Sequence, residues 1–344
     1  MGEGRDHRSL ALPQKTMKNK IRALGLFSGG LDSMLAAALL KAQGLEVTLI
    51  TFVTPFYGAD RARQSAAHLG LPLMELDLTD KFWPLIYDPP HGFGKGHNPC
   101  IDCHLLMIRE AGLLLKAEGF DFIFSGEVLG QRPMSQNRGS LNLIANKSGF
   151  GDLLLRPLSA KLLKTTRPEQ LGWVDREQLL NLSGRGRKRQ MALAATYGIT
   201  RYPAPAGGCL LTDPGYAARL KELLAHQGAL VTRRDLDLLK WGRHFRLSGG
   251  AKAIVGRTQK ENEALLALRG PGDTVLEVDN YPSPLVLVPG QASAGEVAEA
   301  AGLAAAYSDA PLEAEVLVTV QTTGPDREMH LTAPPRDRFK EMRI

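Results

Sequence analysis

No stretch of the 344-residue sequence approaches the roughly 18 consecutive apolar residues of a membrane span, and Met1 to Lys20 is polar and basic, with no apolar signal-peptide core. Membrane embedding and export are thereby disfavoured, and a cytoplasmic protein with no membrane partner is expected. Residues 1–20 read as a flexible extension in which Met17 is a second candidate start. Cysteine is scarce. The three present, Cys100, Cys103 and Cys209, cannot all pair, so a disulfide-stapled fold is excluded and the thiols need another use. The sequence also shows no internal repeat and no low-complexity tract.

What is present is a globular composition, 44% hydrophobic and 23% charged, in a chain long enough for two or three domains. Lys+Arg 42 against Asp+Glu 36 gives +6, which permits a nucleic-acid partner. The basic residues cluster: Arg185, Arg187, Lys188 and Arg189 in one group, Lys161, Lys164 and Arg167 in another. Such runs are either solvated faces or binding sites.

The most informative segment is Ser28-Gly29-Gly30-Leu31-Asp32-Ser33, which follows an apolar run, Ala23 to Phe27, and opens a helical stretch, Met34 to Leu40. Strand, glycine turn and helix N-terminus in that order form an anion cradle, with backbone N–H groups and the helix dipole converging on one point. Ser28 and Ser33 add hydroxyl donors. The loop lacks the Lys of a Walker A motif and the third Gly of a dinucleotide fingerprint. It resembles the PP-loop of the ATP-pyrophosphatase superfamily, whose members bind ATP, adenylate a carbonyl oxygen and release pyrophosphate. The plainer alternative is a tight strand-to-helix turn capped by Asp32 or Ser33.

Further strands are expected at Glu46–Val53, Leu73–Asp77, Phe120–Gly126 and Leu153–Pro157, with helices at Ala59–Leu69 and Leu105–Glu118 and two more between Arg176 and Tyr197. This alternation predicts an α/β fold, a doubly wound parallel sheet. The proline- and glycine-rich stretch from Pro84 to Pro99 is too long for a mere connector, and Pro203 to Cys209 is a breaker-rich turn. From about Leu230 the texture changes. Strands at 243–247, 251–255, 274–278, 285–288 and 316–322 interleave with helices at 260–268 and 295–307. The expected organisation is residues 1–20 as an extension, 21–228 as the loop-bearing domain, and 229–344 as a smaller α+β domain.

Cys100-Ile101-Asp102-Cys103 opens a helix just after the long loop, and Cys209 stands far off between glycines and leucines. A CxxC presents two thiols to one centre, and helix N-terminal placement favours thiolates. Four uses compete: a three-cysteine 4Fe–4S cluster with one open iron; a zinc site with His104 as fourth ligand; a redox pair or persulfide carrier; and, from the string Cys100-x-x-Cys103-His104, c-type haem attachment. Haem is discounted because no signal segment leads to a haem-attaching compartment. Inert core cysteines are the remaining alternative.

Loop, CxxC and lone cysteine together resemble the tRNA thiolation enzymes. Ser125 to Gln131, followed by Ser135-Gln136, is similar to the segment of tRNA 4-thiouridine synthases that lines the nucleotide pocket, and Arg156-Pro157-Leu158 is similar to the same family. The resemblance covers roughly Arg22 to Leu224. It implies a PP-loop, adenine nucleotide alpha hydrolase-like fold in which Ser28, Gly29, Gly30, Leu31, Asp32, Ser33, Gly126 and Gln131 bind ATP. By analogy with the usual crevice of such folds, backbone around Phe52 contacts adenine. Asp32 would hold Mg²⁺, and Cys100, Cys103 and Cys209 would ligate the cluster, with Cys209 also a candidate persulfide carrier beside Asp32 in catalysis. Lys161, Lys164, Arg185, Arg187, Lys188 and Arg189 would hold tRNA phosphates.

The expected reaction is adenylation of a uridine carbonyl oxygen followed by sulfur transfer, with 4-thiouridine favoured over 2-thiouridine and free sulfide or a persulfide carrier as donor. The sequence departs from the 4-thiouridine synthases in showing no N-terminal ferredoxin-like and THUMP domains and no rhodanese domain. Ala253 to Asn262 resembles the RNA-binding module of NFACT proteins, which supplies an alternative reader of RNA. A homodimer sharing one tRNA stays open. The rival readings are a small-molecule PP-loop ligase with a zinc or redox cysteine site, and an RNA-binding protein that is nonenzymatic or removes sulfur.

Overall fold

The structure, a computed structural model, describes residues 20–204 and 208–344. The extension expected over residues 1–20, Met17 included, lies outside the described residues apart from Lys20, as does the centre of the Pro203–Cys209 turn. The chain divides into two compact units. The first comprises residues up to Thr54, Gly58–Gly92 and Pro99–Gly208; the second holds Pro55–Tyr57, Phe93–Asn98 and Cys209–Ile344. The boundary read from sequence, 229, falls inside the second unit.

In the first unit β1 (Arg22–Leu26), α1 (Leu31–Ala42), β2 (Glu46–Val53), α2 (Asp60–Leu69) and β3 (Leu73–Asp77) follow in sequence. A short α3 (Thr79–Phe82), the long α4 (Cys100–Glu118) and β4 (Phe122–Ser125) come next, then α5 (Arg138–Ser148), β5 (Leu154–Leu155), α6 (Arg167–Gln170) and α7 (Lys188–Thr196). All strand pairs are parallel, in the order β3-β2-β1-β4-β5. Strands covered by helices on both faces must be apolar on both, and Ala23, Leu24, Leu49, Ile50, Phe122 and Ile123 are fully buried accordingly. Phe27, Leu31, Met34 and Leu35 carry this core to α1. The doubly wound α/β sheet expected from the sequence is therefore present.

One expectation fails. Between Arg176 and Tyr197 there is a single α-helix, α7, preceded by a 3₁₀ turn at Arg176–Gln178. The stretch between them is bound to distant chain instead: Leu180 N–H donates to the Pro157 carbonyl, Leu182 N–H to that of Leu158 and Gly184 N–H to that of Leu129. Backbone groups spent on neighbouring chain cannot close a helix.

The second unit contains α8 (Pro214–Gln227), α9 (Arg233–Leu238), β6 (Arg243–Arg246), β7 (Lys252–Val255) and α10 (Gln259–Ala267), then β8 (Thr274–Val278), β9 (Val286–Val288), α11 (Ala294–Tyr307), β10 (Glu315–Gln321) and β11 (Arg327–Thr332). Its sheet is antiparallel throughout, ordered β11-β10-β8-β9-β7-β6. Alternation splits the strands between two cores. Phe245, Ala253, Val255, Val286 and Val318 pack with the alanine-rich α11, while Ile254, Val275 and Leu287 pack with Leu238 and Leu265. α11 starts at a reciprocal capping box of Ser293 and Glu296, a device worth about 1 kcal/mol.

Candidate functional site

The loop between β1 and α1 and the chain leaving β4 lie at the C-terminal ends of adjacent strands, where the strand order reverses. In open parallel sheets this switch point is where a crevice opens for a ligand. Phe27 N–H still donates to the Ile50 carbonyl at 2.8 Å, so the loop starts from the last rung of the ladder. Gly29 has φ +71°, and a Cβ there would stand 2.5 Å from the Arg61 carbonyl oxygen, so no side chain fits. Ser65 Oγ donates to the Gly29 carbonyl at 2.9 Å and Ser33 Oγ to that of Gly30 at 2.8 Å. Gly30 is the N-cap of α1, and no side chain caps it. The first N–H groups and the positive dipole end of α1 are therefore presented to an anion. Leu31 is buried in the core of the first unit. Gly126 lies against the same helix start, where a Cβ would come within 2.6 Å of Ser33 Cα.

Asp32 stands on the first turn of α1. Its Oδ2 accepts from Gln131 Nε2 at 2.9 Å, while Oδ1 is buried with no hydrogen-bond partner. Burial pushes its carboxyl pKa up, and Gln131, Arg187, Gln190 and Arg132 pull the other way. An unmatched buried carboxylate oxygen suits a hard divalent cation, so Asp32 fits a Mg²⁺ role. Phe52 is buried within β2. A nucleotide there would meet backbone rather than the Phe52 ring.

A second polar cluster lies at the start of α4. Glu127, buried just after β4, accepts from Arg156 Nε at 2.7 Å and Ser125 Oγ at 3.0 Å, and its Oε1 is 2.8 Å from His104 Nδ1. Burial would raise the Glu127 carboxyl pKa, but the Arg156 guanidinium and His104 overcome it and hold it well below the usual carboxylate range. On the other side of Cys103, Asp102 Oδ1 lies 2.6 Å from His91 Nδ1. Both flanks of Cys103 are thus fixed by carboxylate–imidazole pairs.

Cys100, Cys103 and Cys209 are half-buried and in no disulfide. Cys100 and Cys103 belong to the first unit and Cys209 to the second. Among the described residues no three His, Cys, Asp or Glu side chains gather as a metal set.

The basic residues separate by environment. Lys161 Nζ is engaged by the Glu177 carbonyl at 2.7 Å and carboxylate at 3.2 Å, and Arg189 donates to Asn181 Oδ1 at 2.7 Å. Lys164 and Arg167 line a groove of about 450 Å³ with Asn142, Asn146 and Arg156. Arg185 and Lys188 are exposed, whereas Arg187 is half-buried and its charge acts on Asp32. Arg132, Gln190 and Ser159 are residues of this site that sequence reasoning did not single out. In the second unit Arg257, part of the NFACT-like run, is held by Glu261 through its N–H at 2.8 Å and Nε at 2.9 Å.

A glycine loop at the switch point of a parallel sheet, with an uncapped helix start and a carboxylate beside it, defines a nucleotide-binding α/β domain of the PP-loop class. Comparison with known proteins carries this further: residues 19–162 match the family described as thiamine biosynthesis protein (ThiI), and residues 242–341 match the NFACT protein RNA binding domain. The chain carries a ThiI-family PP-loop domain followed by an NFACT-type RNA-binding domain. Its relatives include the tRNA-specific 2-thiouridylase MnmA of Clostridium acetobutylicum, 37% identical over 128 residues, which are 31% of this chain and 36% of that protein. The MnmA of Paracoccus denitrificans is 26% identical across 96% of this chain and 85% of its own length. A 4-thiouridine synthetase solved as an RNA complex with bound ATP aligns over 52% of this chain and 51% of its own, at 19% identity and a TM-score of 0.34.

Proposed function

We propose that this protein is an ATP-dependent tRNA thiolation enzyme that converts a uridine to a thiouridine, with 4-thiouridine as the product. The observation that carries the reading is the Ser28–Ser33 loop: an uncapped α1 N-terminus with the buried, unmatched Asp32 Oδ1 beside it, at the switch point of the sheet. The ThiI family match and the thiouridylase relatives support the substrate class, and the NFACT-type domain supports an RNA partner.

A uridine carbonyl oxygen is a poor leaving group. It is activated by attacking the α-phosphorus of ATP; the new O–P bond forms as the bond to pyrophosphate breaks, and pyrophosphate leaves with that electron pair. Hydrosulfide then attacks the ring carbon, and AMP departs carrying the former carbonyl oxygen. The hydrosulfide proton ends on the phosphate products, so no oxidant or reductant is consumed. The donor is free sulfide; a persulfide carrier serves instead only with a second thiol, which attacks the carrier's inner sulfur once the outer one is bonded to the ring, releases the thiouridine and leaves the carrier as a disulfide.

Loop N–H groups stabilise charge on the phosphates through fixed dipoles. Asp32 would hold Mg²⁺, which offsets phosphate charge when bound. Exposed Lys164, Arg185 and Lys188 would meet RNA phosphates, with strong salt dependence.

The test is incubation of the full chain with unmodified tRNA, Mg-ATP and sulfide, followed by nucleoside mass spectrometry and quantification of AMP and pyrophosphate. The reading expects 4-thiouridine with one AMP and one pyrophosphate per sulfur. Absence of both thionucleoside and AMP defeats it, and 2-thiouridine corrects the ring position.

A further inference from the structure

The Ser28–Ser33 loop contains no lysine or arginine, yet pyrophosphate leaving a PP-loop carries several negative charges. Beside the Mg²⁺ that Asp32 would hold, the loop offers them only backbone dipoles, unless a side-chain cation arrives from elsewhere in the fold.

One segment is built to deliver it. Ser159, fully buried, accepts from Leu129 N–H at 3.0 Å and donates to the Leu182 carbonyl at 2.7 Å, so a single hydroxyl staples two distant stretches together. Just beyond the staple, Gly184 N–H donates to the Leu129 carbonyl at 2.7 Å, and Leu129 and Ser183 form a parallel β-bridge. The stretch pinned on one side, Leu129 to Gln131, is the one whose Gln131 amide holds Asp32. The stretch pinned on the other side runs directly into Arg187 and the buried Gln190. Arg187 is the N-cap of α7, three residues past this pin, and α7 packs against α1, the helix whose first turn carries Asp32. Its neighbours Arg185, Lys188 and Arg189 are exposed, while Arg187 is half-buried. Arg132 directly follows Gln131, whose amide is bound to Asp32.

We propose that Arg187, seconded by Arg132, is the phosphate-binding cation of the nucleotide site, holding the β- and γ-phosphates of ATP and the pyrophosphate as it departs. Arg187 is then removed from the RNA-binding group in which its sequence neighbours suggest it belongs. The planar guanidinium matches two phosphate oxygens at once and stays charged at every working pH. This assignment rests on the adenylation reading and adds the residue that would replace the missing loop lysine.

The experiment is calorimetric titration of the full chain with Mg-pyrophosphate and Mg-ATP, and separately with unmodified tRNA at fixed salt, for wild type, Arg187→Met and Arg187→Lys. Charge-assisted hydrogen bonds of this kind predict that Arg187→Met weakens both phosphate ligands at least about tenfold, that Arg187→Lys recovers part of the loss, and that tRNA affinity changes less than twofold. If Arg187→Met binds pyrophosphate as wild type does, or loses tRNA affinity instead, the assignment is overturned. Thermal melts separate a folding defect from lost contact, and Arg187→Lys keeps the charge where the Met variant does not fold. Failure of wild type to bind Mg-ATP would defeat the adenylation reading itself, whereas normal wild-type binding untouched by Arg187→Met defeats only this one.

Discussion

Arg156 Nε and Glu127 Oε2, 29 residues apart in sequence, lie 2.7 Å apart with both side chains buried. Removing one partner of such a pair strands the other charge in a low-dielectric interior. Glu127→Ala should therefore destabilise the full chain by about 3–5 kcal/mol in urea denaturation. Glu127→Gln should cost less, because an amide still accepts from Arg156. A loss below about 1 kcal/mol for Glu127→Ala would mean that water reaches the pair.

The same carboxylate gives a pH dependence. Its folded pKa lies below the ordinary 4.5, so the native state binds fewer protons than the unfolded chain below that value. The Glu127 contribution is fully present above about pH 4.5 and declines as pH falls through the folded pKa. Wild type should thus lose its stability advantage over Glu127→Gln on acidification, read by denaturation midpoints from pH 6 downward.

Asp32 has the opposite sign. Its folded pKa is raised above 3.8, so ionisation there costs native stability once the pH exceeds the folded value, and the cost vanishes below about pH 3.8. Asp32→Asn should melt higher than wild type at pH 7, by about 2–4 °C for each kcal/mol relieved. The same variant should form no thionucleoside. A lower melting point would show that the carboxylate is better satisfied than its unmatched oxygen implies.

Gly126→Ala would place a Cβ 2.6 Å from Ser33 Cα. Backbone must shift to admit it, so a destabilisation of about 1–3 kcal/mol and weaker Mg-ATP binding are expected. Wild-type ATP affinity in a folded Gly126→Ala variant would show that the helix start tolerates displacement.

In the second unit, burial lowers Lys252 from 10.5 to about 8 despite Glu222 nearby at 3.7 Å. For a base this means the protonated native form is penalised below pH 8, and the penalty fades between pH 8 and 10.5. Lys252→Met should raise the denaturation midpoint at pH 7, with the gain shrinking as pH approaches 10.5. A gain that grows with pH would invert the assignment.

Much of this was legible because it is local. Apolar runs set the strand sequence, and Ser28 to Ser33 announced itself by spacing alone. β11 was missed: Arg327–Thr332 is an edge strand whose alternation consists of Met329 and Leu331 alone, set among charged and polar residues and too short a signal to stand out. The Ser159 staple was not legible either, because it joins positions 23 and 30 residues away, whereas sequence shows only that Arg187 stands among basic neighbours. The expected second helix before α7 failed for the same reason, since long-range backbone bonds outbid local helix propensity.

The strand order has a consequence in time. Asp32 leaves the ribosome early, but Gln131 follows it 99 residues later and Arg187 later still, the latter after a lag of roughly 8–30 s at about 5–20 residues per second. The nascent chain can complete β1, α1 and β2 long before the pocket has its opposite wall. ATP thus becomes a ligand only when this unit is nearly whole, and can act as a late clamp on its folding.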